Sequence, residues 1–258
     1  MVDKKELLNL VIKASTDDRT DQEKNKEMLR LIPEKISTYV KNREDQQRLE
    51  DIIKAMHIVD RKFFVEDKRY AYLDTAMPLS HGQTISQPST VARMLQLAML
   101  EPGQDLLEVG SGSGWSACTA AYLVYPGITI SIDRIPELVD YAEANRSKLV
   151  THLSEEDPES AEKLSKIEFR LANVFDLASN EDRELRDYPR YYDRIIITAG
   201  ISEGQESKLK MFANNLLNDN GLLICPYQLG PLVVMIKFKQ NLFVTSYGEY
   251  WFVPLVED

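Results

Sequence analysis

Cysteine is scarce in this sequence of 258 residues: there are two, Cys118 and Cys225, far apart and each in apolar surroundings. A disulfide framework is therefore excluded as the source of stability. Two buried thiols in a reducing cytoplasm are expected. Histidine is nearly as rare. His57, His81 and His152 stand with no cysteine or acid at metal-ligand spacing, so no metal site is expected. No apolar run approaches the length of a membrane span. The opening residues, Met-Val-Asp-Lys-Lys-Glu, carry no apolar stretch, so a signal peptide is not expected. Positive charge is also in deficit. Against 31 Lys and Arg stand 41 Asp and Glu, a formal net charge of −10. Such a chain gains little from the counterion release that drives nucleic-acid binding, and a nucleic-acid partner is not expected.

What is present is ordinary for a globular protein: 43% hydrophobic and 28% charged residues. The length suits one large α/β domain with a helical extension. Leu7, Leu10, Val11 and Ala14 form one apolar stripe at helical spacing, and Leu49, Ile52, Ile53 and Met56 form another. Between them, Thr16 to Lys26 is polar and reads as a linker. Pro33 is placed at the first turn of a new helix, after one ending near Ile32. Tyr70 to Pro88 is broken by Pro78 and Gly82 and reads as irregular, with a helix over Val91–Leu100.

From residue 105 strands and helices alternate. Strands are expected at Asp105–Gly110, Ile128–Asp133, Ile167–Ala172, Arg194–Ala199, Gly221–Pro226, Leu232–Phe238 and Phe243–Tyr247. Helices are expected over Ser113–Leu123, around Leu138 and Ala142, and around Leu209 to Leu216. The acidic stretch 150–165 reads as a surface insertion. This order predicts an α/β fold: a mostly parallel, doubly wound sheet with helices on both faces. The closely spaced last strands predict an antiparallel edge. The chain divides near residue 65 into an N-terminal helical part (1–65) and a main domain (66–258).

The segment Leu106-Leu-Glu-Val-Gly-Ser-Gly-Ser-Gly-Trp115 falls where the first strand turns into a helix, the place where open α/β sheets bind ligands. Gly110, Gly112 and Gly114 form G-x-G-x-G, with Ser111 and Ser113 between them. A dinucleotide fingerprint would be G-x-G-x-x-G, seating a pyrophosphate on the helix N-terminus. Glu108 just before the turn would repel a pyrophosphate but suits the cationic methionine end of S-adenosylmethionine. Asp133 ends the second strand, where an acid can accept hydrogen bonds from both ribose hydroxyls; Arg134 follows it. A lone glycine turn is weak evidence. The combination of Glu108, three glycines and Asp133 is much stronger, and it predicts an S-adenosylmethionine site.

Upstream lies Met77-Pro-Leu-Ser-His-Gly-Gln-Thr-Ile-Ser-Gln-Pro88. Here the chain resembles the protein-L-isoaspartate O-methyltransferases, whose members carry a near-identical segment before their glycine turn. Val59-Asp-Arg-Lys-Phe-Phe-Val65 with Tyr70-Ala-Tyr, Ser131–Val139, Tyr192–Ala199 and Trp251-Phe-Val-Pro-Leu255 resemble further stretches of that family. The likeness spans roughly residues 50–256. It implies a Rossmann-like methyltransferase fold and methyl transfer to the α-carboxylate of L-isoaspartyl residues in protein or peptide, the first step of repair. It implies that Ser86 is the active-site serine, and that Thr84, Ile85, Gln87, Phe252, Val253 and Pro254 face the substrate. An ionised carboxylate attacks the sulfonium methyl directly, so alignment matters more than a base. Ser86 could otherwise serve as a helix N-cap ahead of Pro88.

Two departures from the family are visible. Its Gly-Asp-Gly after the third strand, where the aspartate meets the adenine amine, is here Ala172-Asn-Val174. Asn173 keeps an acceptor without the charge. Its Ala/Pro-rich turn after the fourth strand is here Gly200–Gln205, which leaves the substrate open. Alternatives are a specialised homologue methylating an aspartate side chain in one dedicated peptide, and a non-catalytic adaptor. An RNA methyltransferase on the same fold is disfavoured by the net charge.

Overall fold

The structure, a computed structural model, describes Ile12, residues 14–177 and residues 191–256. Most of the stripe from Leu7 to Ala14 therefore lies outside the described residues. The first long helix, α1, runs Asp21–Ile36. Thr20 caps it in a reciprocal box: Glu23 N donates to Thr20 Oγ1 (3.2 Å) and Thr20 N donates to Glu23 Oε2 (2.8 Å). The expected linker thus ends at Thr20. Pro33 does not open a helix but lies inside α1. Met28, Leu29, Ile32 and Ile36 are buried on both sides of it. Their packing outweighs the roughly 3 kcal/mol that a proline costs inside a helix.

Helix α2 (Arg43–Ile58) follows. A two-residue antiparallel pair, β1 (Met77–Pro78) and β2 (Thr84–Ile85), interrupts the otherwise irregular approach to α3 (Pro88–Ala98). Then come β3 (Leu106–Val109), α4 (Trp115–Val124), β4 (Thr129–Asp133), α5 (Pro136–Glu156), α6 (Pro158–Ser165), β5 (Glu168–Leu171) and α7 (Val174–Leu177). The chain continues through β6 (Tyr192–Ile197), α8 (Glu206–Leu216), β7 (Leu217–Pro226), β8 (Leu229–Phe238) and β9 (Asn241–Trp251).

The stretch 150–165 corrects the sequence reading. It is not merely a polar surface segment: it forms the end of α5 and all of α6. Leu153, Ala161 and Leu164 are buried, and the acids lie on the wet face. Asp157 separates the two helices and caps the second, accepting from Ser160 N at 3.2 Å.

The sheet order is β5-β4-β3-β6-β7-β8-β9. Pairings are parallel from β5 to β7 and antiparallel for β7–β8 and β8–β9. Neighbouring strand residues feed opposite cores, as strand pleating requires. Leu106, Ile196 and Ile224 pack with α1, α2, α3 and α4 on one face. Leu107, Ile195, Ile197 and Leu223 pack with Leu209 and Phe212 of α8 on the other. The chain runs β3 to β4 to β5 in one direction and then returns to β6 on the far side of β3. That reversal opens a crevice at the carboxyl ends of β3, β4 and β6.

Candidate active site

The turn after β3 sits in this crevice. Gly110 N and Ser111 N both donate to Ile132 O (2.8 and 3.1 Å), and Gly114 N donates to Ser111 O (2.7 Å). The turn requires left-handed backbone at Gly110 (φ 97°) and Gly112 (φ 50°). At Gly110 a Cβ would collide with Thr198 Oγ1, which donates to Gly110 O at 2.7 Å. At Gly112 a Cβ would meet nothing nearer than Leu79 Cδ2 at 3.9 Å. That residue therefore keeps space open in the crevice.

One cavity gathers Thr84, Ile85, Ser86, Gly110, Ser111, Gly112, Ser113, Asp133, Arg134, Asn173, Val253 and Pro254, all singled out from sequence. Asp133 organises the turn from below. Its Oδ2 accepts from Gly112 N and its Oδ1 from Ile135 N, each at 3.1 Å. A carboxylate offers about four lone-pair sites, so both oxygens can still accept from a ligand in the cavity. Ala172 N donates to Asp133 O (3.0 Å), which ties the end of β5, and with it Asn173, to the same wall.

Four residues from the sequence reading fall elsewhere. Gly114 is the N-cap of α4 rather than cavity wall. Gln87 and Phe252 line a second, adjoining cavity. Glu108 points away from the turn into the protein, with 1% exposure, because inward-facing strand residues alternate. Ser131 Oγ donates to Glu108 Oε2 (2.7 Å) and contacts Ser111 Oγ (2.8 Å). Ser116, another residue of the cavity wall, also stands close to the carboxyl. Burial pushes the Glu108 carboxyl up to about 7. Its link to the cavity runs through the Ser131 and Ser111 hydroxyls.

The second cavity, about 590 Å³, opens beside the first and shares Thr84, Ser86, Thr198 and Val253 with it. Ser86 is half-buried at this junction. It is not a helix cap: the N-cap of α3 is Gln87, without a side-chain bond. Asp74 does that work from a distance, its Oδ1 accepting from Ser89 N at 2.7 Å and its Oδ2 from Lys35 Nζ at 2.5 Å. The buried Arg61 guanidinium holds the carbonyls of Ala71 (2.8 Å) and Ser86 (3.1 Å). Thr198 also lines both cavities, without any sequence signal of its own. It is the penultimate residue of the stretch Tyr192–Ala199, which resembles the family, but only the cavities bring it into one wall with Ser86.

A doubly wound sheet with this glycine turn, an acid ending the second strand and a cavity at the reversal defines an S-adenosylmethionine-dependent methyltransferase fold. The comparisons narrow the class. Residues 34–258 match the family model for protein-L-isoaspartate(D-aspartate) O-methyltransferase. The chain is 35% identical over 203 residues to the protein-L-isoaspartate O-methyltransferase of Pyrococcus horikoshii, covering 76% of this chain and 80% of that one. It is 33% identical over 247 residues to that of Ignicoccus hospitalis, covering 92% and 99%. Among solved structures, a Plasmodium falciparum protein described as a putative protein-L-isoaspartate O-methyltransferase, in complex with S-adenosyl-L-homocysteine, superposes with a TM-score of 0.68. It is 22% identical and covers 89% of this chain and 98% of that one. The chain belongs to the protein-L-isoaspartate(D-aspartate) O-methyltransferase family.

Proposed function

We propose that the two joined cavities transfer a methyl group from S-adenosylmethionine to the α-carboxylate of an L-isoaspartyl residue in a protein or peptide. The observation that carries this reading is Ser86, which stands in the wall common to both cavities. Donor and carboxylate must meet at such a junction. S-adenosylmethionine, when bound, supplies a methyl group on cationic sulfur. The residues fit it: Gly112 leaves room, Asp133 has acceptor capacity for the ribose hydroxyls, and Asn173 lines the wall with an amide oxygen for the adenine amine. Ser111 and Ser113 flank the turn, and Arg134 lies at its exposed rim.

An isoaspartyl α-carboxylate is ionised at neutral pH and needs no base. Its oxygen forms the new bond to carbon as the carbon–sulfur bond breaks, and no proton moves. The Ser86 hydroxyl holds the carboxylate in line. Thr84, Ile85, Gln87 and the strap Phe252–Pro254 hold the backbone around it. In an isoaspartyl linkage the chain runs through the side chain, so the free carboxylate stands on Cα. A groove that fixes the backbone then presents only that carboxylate, and a misplacement of about 1 Å costs on the order of a hundredfold in rate. The two buried thiols fit a reducing cytoplasm, and the net charge of −10 fits a protein rather than a nucleic-acid partner.

The test is methyl transfer to matched isoaspartyl and aspartyl peptides. Fast methylation of the first and slow methylation of the second is expected. Equal rates, or activity on one dedicated aspartyl peptide alone, would overturn the assignment to repair.

A further inference from the structure

Buried cations in proteins are ordinarily paired with carboxylates. Arg93 is not. It lies on α3, the helix that follows the Ser86 segment, with 4% exposure, and it lines the second cavity. Its Nη1 donates to Gln96 Oε1 at 2.8 Å, and its Nε has no partner. The guanidinium lies over the Tyr39 ring at 3.7 Å from the centroid and near the Tyr247 ring at 5.4 Å. Tyr250 is hydrogen-bonded to it as well, a neutral partner that leaves the charge unbalanced. Among the described residues no carboxylate stands among its interacting neighbours, which are Gln96 and the tyrosines, and burial lowers its pKa.

The other charges around this cavity do not cancel it. Lys35 is neutralised by Asp74 at 2.5 Å. Glu249 lines the cavity but is exposed, where solvent screens it. The cavity wall therefore carries one uncompensated, poorly solvated positive charge. Tyr39, which stacks on it, belongs to the N-terminal helical region, so that region helps to build the wall.

We propose that Arg93 makes the second cavity a subsite for a carboxylate on the peptide other than the one being methylated, so that isoaspartyl sites flanked by Asp or Glu are preferred. This rests on the peptide-methylating function proposed above. A carboxylate entering the cavity finds an attraction that a neutral amide of the same shape lacks. Charges of opposite sign a few ångströms apart in a partly buried site interact strongly enough for about a tenfold preference. The carboxylate could be a flanking side chain or a free peptide C-terminus, and the assay separates the two.

The experiment compares kcat/KM on isoaspartyl peptides carrying Glu, Gln or Lys beside the isoaspartate, each with an amidated or a free C-terminus. The wild type is expected to prefer Glu over Gln by about tenfold, and Gln over Lys, with amidated ends. Arg93→Gln should bring the Glu/Gln ratio to about one, and Arg93→Lys should restore most of it. A ratio that responds only to the free C-terminus also supports the carboxylate subsite and assigns it to the chain end. Wild-type ratios near one for both flanks and both termini would overturn the inference. So would an Arg93→Gln variant that lowers all peptides equally, since that is the signature of a packing role. Absence of wild-type activity on every isoaspartyl peptide would instead overturn the methyltransfer reading itself.

Discussion

Replacing Gly112 by valine separates a turn glycine from a glycine that keeps space for a ligand. The position has φ of 50°, in the left-handed region. A β-branched residue there costs on the order of 1–2 kcal/mol in backbone strain. The protein should bear that, because the added Cβ finds its nearest neighbour, Leu79 Cδ2, at 3.9 Å. The isopropyl group must then occupy the cavity. It also strains the Gly112 N to Asp133 Oδ2 bond of 3.1 Å, a hydrogen bond to a charged group worth roughly 1.5–3 kcal/mol. Steric exclusion and the displaced Asp133 together should weaken binding of S-adenosylmethionine and its demethylated product at least a hundredfold. Titration calorimetry measures the affinity, and circular dichroism with thermal melting checks the fold. Gly112→Ala should fall between. A folded Gly112→Val protein with wild-type affinity would refute the placement of the cofactor at this turn.

Ser86→Ala should keep cofactor affinity while lowering kcat by the worth of one bond to a charged group, about 1.5–3 kcal/mol, read in single-turnover methyl transfer; a wild-type rate would leave Ser86 no positioning role. Asn173→Asp should keep or modestly tighten cofactor binding in calorimetry, because an ionised acceptor binds an amine more strongly than an amide oxygen does; a clear loss would place adenine away from this residue. Glu108, raised by burial from 4.5 to about 7, binds a proton in the folded state that the unfolded state has already released across that window. Its contribution is therefore fully present below pH 4.5 and is lost as pH rises to 7, by up to about 3 kcal/mol. Glu108→Gln should flatten that decline in melting temperature measured from pH 4.5 to 8, and an unchanged slope would show that Glu108 is not the titrating group.

The sheet was legible because its strands are short apolar runs closed by glycine, proline or acid, and because alternation with amphipathic helices admits few topologies. The candidate cavity at the glycine turn was legible for a related reason: a glycine turn and an acid one strand later must meet at the carboxyl ends of adjacent parallel strands. The misses have physical causes. From sequence Pro33 reads as a boundary because a proline removes one hydrogen bond, whereas the buried faces of Met28, Leu29, Ile32 and Ile36 hold the helix through it. The charge of the stretch 150–165 suggests a solvated segment, whereas its few apolar residues, Leu153, Ala161 and Leu164, are buried faces of α5 and α6. Glu108 was placed beside the turn by sequence proximity, but strand alternation turns it into the core. Arg93 and Thr198 were invisible because what distinguishes them, the absence of a carboxylate partner and a place at a cavity junction, depends on residues far away in sequence.

The departures from the family take on a different meaning once the contacts of the altered turn are seen. Gly200 N donates to Val253 O and Leu255 N donates to Gly200 O, both at 2.7 Å. Gln205 Nε2 donates to Leu255 O at 3.0 Å. The turn Gly200–Gln205 thus straps down the C-terminal segment whose Val253 and Pro254 line the first cavity, and whose Phe252 and Val253 line the second. A proline at position 200 would lack the N–H that Val253 O accepts, and a Cβ there would collide with the Gln228 backbone. From the opposite side Arg61 and Asp74 fix the segment around Ser86 through its backbone carbonyl and the first turn of α3. The residues that would hold a substrate therefore stand on two segments clamped by hydrogen bonds largely shielded from solvent. Between those clamps Tyr39, Arg93 and Tyr250 line the second cavity, outside the hydrogen bonds that fix the Ser86 segment.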